Sequence, residues 1–158
     1  MSDLERILLT SGLTVIGGVI VLVIGQIIIR FIVDPIILLR ISIGEIAHVL
    51  DYHENIYENP GIARNDLQDR ASDALREKAC LLESRSRAVP LYGLFERLGA
   101  VPARKEIAGA SGGLIRLSNS VHRGNFIENH DKSDEIRSLL KLNSIEKAKR
   151  NKNKKQCV

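Results

Sequence analysis

The longest uncharged stretch in the chain runs from Ile7 to Ile29, ILLTSGLTVIGGVIVLVIGQIII, 23 residues almost all of them apolar or small. A helix of that length rises about 34 Å, more than the roughly 30 Å of a bilayer's hydrocarbon core. The pattern predicts a transmembrane helix over 7–33, preceded by a short extracytoplasmic N-terminus, 1–6. A cleavable leader would need a positive start, a shorter apolar run and a small-residue cleavage site. Here MSDLER mixes acid with base, and the run gives way to Arg30 and Phe31. The core helix of a soluble domain is the other alternative, but apolar character on all sides over this length fits lipid better than a domain this small.

From Phe31 to Leu50 the chain stays apolar, yet Asp34, Arg40, Glu45 and His48 interrupt it. Each mid-membrane Asp or Arg costs about 2.5 to 3.5 kcal/mol on the insertion scale, so a second crossing is disfavoured. Pro35 is suited to a helix start, and Arg40, Gly44, His48 and Asp51 then form a narrow polar stripe on an otherwise apolar helix. That helix must be covered by the membrane interface, by the domain after it, or by copies of itself. Residues 34–58 are therefore expected to form an amphipathic juxtamembrane helix and turn, continuous with the span and bent or interrupted near Pro35.

Beyond the turn at Asn59-Pro60-Gly61 the periodicity is helical, and 59–145 reads as a small cytosolic helical domain. Leu67, Ala71, Ala74, Leu75, Ala79 and Leu82 recur at three and four residues, predicting an amphipathic helix to about Arg87. Pro90 ends it. A short helix follows from about Leu91 to Leu98, with Leu91, Leu94, Phe95 and Leu98 as its core side and Gly99 as its stop. Ile107, Ala108, Ser111, Leu114, Ile115, Leu117 and Val121 mark the next, in which Gly109, Gly112 and Gly113 need a reason such as close packing. The polar region from His122 to Asp131 reads as a loop, and a last helix begins at Asp131 or Ser133 with Ile136, Leu139, Leu140 and Ile145 inward. The fold class is mainly α.

Charge changes the picture at one end. Lys147, Lys149, Arg150, Lys152, Lys154 and Lys155 include no acid among them, and six positive charges exceed the chain's net +4, leaving −2 on everything before. The tail, 146–158, is expected to be disordered. It suits anionic lipid at the inner leaflet, non-specific contact with nucleic acid, or simple solubility. No aromatic interleaves the lysines and Trp is missing from the chain, which puts nucleic acid behind membrane lipid as a partner. Arg30 and Arg40 after the span outweigh Arg6 before it, predicting an outside N-terminus and a cytoplasmic domain. Cys80 and Cys157 lie far apart and suggest neither disulfide nor metal knuckle.

Chemistry is sparse. His48, Asp51, Tyr52, His53, Glu54 and Glu58 crowd acids and bases into eleven positions, the best candidate for a small membrane-anchored enzyme site. The two histidines are five apart and would diverge on a helix, so the spacing matches no zinc motif. AGASGG lacks the Lys-Ser or Lys-Thr of a phosphate loop, and Ser118, Ser120 and His122 are too close in sequence for a catalytic arrangement. No catalytic residue, cofactor or metal is expected. Within the span, Ser11, Thr14, Gly18, Gly25 and Gln26 make a small, weakly polar stripe, and such stripes let helix backbones approach while a buried amide hydrogen-bonds across.

FIVDPI, IGEIAHVLDYHENIYENPG and AVPLYGLFERLGAVPARKEIAGASGGLIRLSNSV, with the span before them, resemble a set of uncharacterised bacterial proteins carrying one N-terminal membrane helix. The resemblance covers most of residues 8 to 121 and excludes the tail. It implies bacterial origin and anchoring in the inner membrane. The functional expectation is a non-enzymatic scaffold, sensor or effector acting by self-assembly or by binding a protein partner, with a membrane-tethered binder of anionic lipid or nucleic acid as the alternative.

Overall fold

Proline has no N–H to give to a helix, and its ring collides with the carbonyl four residues back. At Pro35 that carbonyl belongs to Phe31, and the chain answers by widening, not by breaking. In the computed structural model, which describes residues 3–142 with side chains from residue 11 onward, α1 (Asp3–Ile28) passes through a π-helical turn (Ile29–Val33) into α2 (Asp34–Tyr52). The Asp34 N–H reaches back five residues to the Ile29 carbonyl. The expected bend or interruption near Pro35 is thus a π turn inside one helix that runs from Asp3 to Tyr52.

The two halves of this helix differ in surroundings. The described side chains of α1 are exposed apart from half-buried Gly25, and the helix is long and apolar enough to cross a membrane. On α2, Leu39, Ser42, Ile46, Val49 and Leu50 are buried, while Arg40, Gly44, His48 and Asp51 keep the outer face. The domain covers that buried face, and α2 shares one hydrophobic core with the helices after it.

Those helices are α3 (Glu54–Tyr57), α4 (Asn65–Ala88), α5 (Tyr92–Arg97), α6 (Arg104–Ser120) and α7 (Phe126–Leu139). Spatially, α4 packs against both α2 and α6, and α7 packs against α6. The α2–α4 pair is antiparallel: Lys78 Nζ meets Glu45 at 3.1 Å, and Arg85 donates to Ser42 Oγ at 2.6 Å and to the Leu38 carbonyl at 3.3 Å. The α4–α6 pair is also antiparallel and close, because Ala71, Ala79, Ala110, Ser111 and Ser118 keep side chains short. Ser111 Oγ donates to the Ala79 carbonyl and Ser72 Oγ to that of Ser118. Between α3 and α4, Ile62 N–H closes a turn on the Asn59 carbonyl at 3.3 Å, with Pro60 next and Gly61 at φ +77°, the position that favours glycine.

The face expected for α4 is the one that is buried, with Ala71, Leu75, Ala79 and Leu82 fully enclosed. Three expectations need correction. On and beside α5, Leu91, Leu94 and Leu98 are 68, 52 and 69 % exposed; of the expected four only Phe95 packs against the core, half-buried, and Tyr92 is the buried residue, its hydroxyl donating to the Pro102 carbonyl at 2.8 Å. On α6, Ala108 and Ile115 are exposed, while Ala110 and Ser118 take inward places. The segment before the last helix is shorter than the expected His122–Asp131 loop: Asn125 caps α7 by accepting from the Ile127 N–H, so the helix starts at Phe126. Ile136 and Leu140 are buried and Leu139 half-buried as expected, and Ile145 lies outside the described residues.

The α6 glycines divide. A Cβ on Gly113 would sit 2.8 Å from Ile136 Cγ1 and one on Gly109 3.0 Å from Leu139 Cδ1, so these two let α7 approach. Gly112 faces open space. Gly112→Ala is expected to stabilise the domain by about 1 kcal/mol through helix propensity. Gly113→Ala should destabilise it by about 1 to 3 kcal/mol, because branched Ile136 is enclosed and cannot swing aside. Denaturant titration of both variants checks the contrast.

Candidate functional site

The residues singled out for chemistry do not converge. Asp51 at the end of α2 points at α7, where its Oδ1 lies 2.6 Å from Arg137 Nη1. Glu58, just past α3, pairs with His130 Nδ1 of α7 at 2.7 Å, and Asp134 stands 3.8 Å from the other ring nitrogen. His48 and Tyr52 stay on the exposed face of α2, with Glu54 also exposed. His53 is half-buried, its Nδ1 unpaired among the described residues, and its ring is edge-on to Tyr52 at 4.9 Å between centroids. Burial, with a smaller contribution from His48, lowers the His53 pKa below 6.5 and keeps the ring neutral.

Two of the six, Asp51 and Glu58, therefore belong to a seam that fastens α7 to the α2–α3 corner. Its centre was invisible in the sequence. Tyr57 is wholly buried, and its carbonyl accepts from Asn129 Nδ2 at 2.7 Å, while Asn129 Oδ1 lies 2.6 Å from Ser120 Oγ. Burial raises the Tyr57 phenol above its usual range, against the opposing pull of Ser133 and Arg137, so it stays protonated. A signal for this existed only in hindsight: Asn129 and Ser133 are inward polar residues four apart on a helix whose apolar positions are few.

Other candidates resolve as local hydrogen bonding. Ser118 Oγ donates to the Ile115 carbonyl, Ser120 Oγ sits within reach of the Leu117 carbonyl, and His122 Nε2 lies 3.3 Å from Asp69. The AGASGG glycines fall in the middle of α6, away from any helix start. Among the described residues no three His, Cys, Asp or Glu side chains gather to hold a metal.

What remains open is α1. At about 100° per residue, Ser11, Thr14, Gly18, Gly25 and Gln26 fall within one third of its circumference. A Cβ built on Gly18 or Gly25 meets nothing within 4 Å, so there is room beside them for a second backbone. The basic residues Lys147, Lys149, Arg150, Lys152, Lys154 and Lys155 lie outside the described residues. No family model, curated protein or solved structure matches the chain, so the resemblance over residues 8 to 121 rests on the sequence pattern alone.

The seam has a pH signature. Hydrogen bonding to Glu58, opposed by burial and aided by Asp134, raises the His130 pKa above 6.5. A histidine raised on folding stabilises fully below its unfolded pKa and loses that contribution as pH rises through the folded value. Amide exchange in α7 should thus quicken relative to α4 as pH rises from 6 into the range just above the ordinary histidine value, about 6.5. Glu58→Gln should flatten that difference.

Proposed function

We propose that this chain is a bitopic membrane protein, bacterial and in the inner membrane, with a short N-terminus outside and its helical domain in the cytoplasm. It acts there as a non-enzymatic scaffold, sensor or effector, through helix-mediated self-assembly or through binding a protein partner. One observation carries the reading: the helix from Asp3 to Tyr52 is apolar and exposed from Ser11 to Ile28, half-buried Gly25 apart, and forms part of a folded core from Leu39 onward. An anchor built this way fixes the domain's orientation at the membrane, which suits a protein whose work is positional.

The assembly surface is the sector of Ser11, Thr14, Gly18, Gly25 and Gln26. Without a hydrophobic drive between helices in lipid, close backbone packing and amide hydrogen bonds supply the association, and small residues permit both. The second reading, a tethered binder of anionic lipid or nucleic acid, is favoured by the confinement of six positive charges to Lys147–Lys155. Removing residues 147–158 separates the two, since assembly through the stripe survives it and tail binding does not.

The direct test is the mass of the detergent- or nanodisc-embedded protein. A defined oligomer that Gly18→Leu with Gly25→Leu dissolves is the expected result, whereas a monomer in both forms would remove the assembly reading. Topology is checked on Cys80, which is exposed on α4. With Cys157→Ser, an impermeant maleimide should label Cys80 in inside-out vesicles and leave intact cells unlabelled.

A further inference from the structure

The antiparallel register of α2 and α4 fixes the height of the corner that follows α4. Lys78 stands opposite Glu45, and Arg85 opposite Leu38 and Ser42, so Ala88 to Leu91 come level with Asp34 to Ile37. The far end of α5 is held at a similar height: Arg40 donates through Nε and Nη2 to the Ala100 carbonyl at 3.2 and 2.9 Å. The uncharged stretch ends at Ile29, and Phe31 to Val33 extend the apolar surface past Arg30, whose long side chain snorkels, so the inner edge of the hydrocarbon falls between Ile29 and Val33. Level with Asp34 to Arg40, α5 therefore lies within about 10 Å of Val33, across a headgroup layer about 5 to 8 Å deep and its outer edge.

At that height the corner turns apolar side chains outward. Leu91 takes a left-handed conformation, φ 47° and ψ 37°, although it is neither Gly nor Asn. Such a conformation costs a leucine about 1 to 2 kcal/mol; the Leu91 carbonyl accepts from the Leu94 N–H at 2.9 Å in starting α5, while the side chain, 68 % exposed, gains no burial in return. Leu94 and Leu98 project with it, while Tyr92, under the Arg104 guanidinium at 4.5 Å, fastens the other side of α5 to the domain. Ile37, Leu38 and Ile41 on α2 continue the exposed apolar surface of Phe31 and Val33 down to this level.

Charge selects the occupant. From Glu83 to Glu106 the chain carries five cations, Arg85, Arg87, Arg97, Arg104 and Lys105, against three acids, Glu83, Glu96 and Glu106, and Glu83 holds Arg87 at 3.0 Å, which leaves Arg97 as the cation on the ridge itself. An apolar ridge rimmed by arginine at the edge of a membrane helix matches the interface of an anionic bilayer. We propose that the corner from Pro90 to Leu98 is a second membrane contact, in which Leu91, Leu94 and Leu98 enter the boundary between headgroups and acyl chains while Arg97 meets anionic phosphates. The proposal rests on α1 crossing the same bilayer, and it makes the domain lie against the surface it hangs from.

The chain contains no Trp, so a single introduced indole reports its own depth. The full chain is reconstituted in phosphatidylcholine–phosphatidylglycerol vesicles whose acyl chains carry bromine either close to the headgroup or near the bilayer centre, and quenching is compared for Leu94→Trp, Val21→Trp and Asp73→Trp. Asp73 is exposed on α4, near the level of Leu50 and far from the π turn. Roughly twofold loss of fluorescence for Leu94→Trp with the shallow bromine and for Val21→Trp with the deep one, with Asp73→Trp unaffected by either, is the expected result. Adding Leu91→Gln and Leu98→Gln to Leu94→Trp should restore most of the emission. Quenching of Val21→Trp alone overturns the corner contact while leaving the anchor standing. A blue-shifted but unquenched Leu94→Trp overturns it in favour of a second copy covering the ridge. No quenching of Val21→Trp removes the anchor and the contact together.

Discussion

Everything in this molecule hangs on the packing of α2 against α4. The helix that enters from α1 has no fold of its own to join until Leu39, Ile46 and Leu50 meet the enclosed face of α4. That contact is apolar at its centre and guarded at its edge by Glu45, which faces Lys78 at 3.1 Å and Arg85 at 3.7 Å. The edge pairs set direction and height more than strength, since partly exposed ion pairs contribute little. Removing water from the leucine and isoleucine faces supplies the drive.

From this contact the rest follows outward. Short side chains bring α6 close to α4, glycines on α6 bring α7 close to α6, and the polar seam around Tyr57 closes α7 back onto α2 and α3. The domain is thus a cycle of helix contacts with an apolar helix leading out of it. Four of its titratable groups help hold that cycle shut: Asp51 faces Arg137, and Glu58, just past α3, faces His130.

Legibility in the sequence tracked how strongly burial was periodic. The α4 face could be read residue by residue because apolar side chains recur at three and four positions against a charged remainder. The long N-terminal helix was legible for the opposite reason, an absence of charge. The α5 leucines misled because the same spacing serves a face turned to the protein and a face turned away from it, and Tyr92 outcompeted them for the interior by offering both a ring and a hydroxyl with a carbonyl to meet. The start of α7 was hidden because its inward positions, Asn129 and Ser133, are polar, and hydrogen bonds to distant backbone cannot be inferred from local pattern. The stripe on α1 could be placed on one sector from spacing alone, whereas the separation of Asp51 and Glu58 onto different α7 partners needed the tertiary arrangement.

The π turn between Ile29 and Val33 carries a consequence of phase. Each residue of an α-helix advances the azimuth by about 100°, and a π turn takes up one residue more than an α turn would. Wherever α1 presents its small-residue sector, the direction in which α2 offers Leu39 and Ile46 is offset by that extra step. Two copies joined along α1 would therefore hold their domains at a bearing set by a five-residue segment that touches neither core. Relaxing the π turn to α geometry, with nothing else altered, would swing each domain by about a quarter of a revolution about the common axis and bring different surfaces face to face.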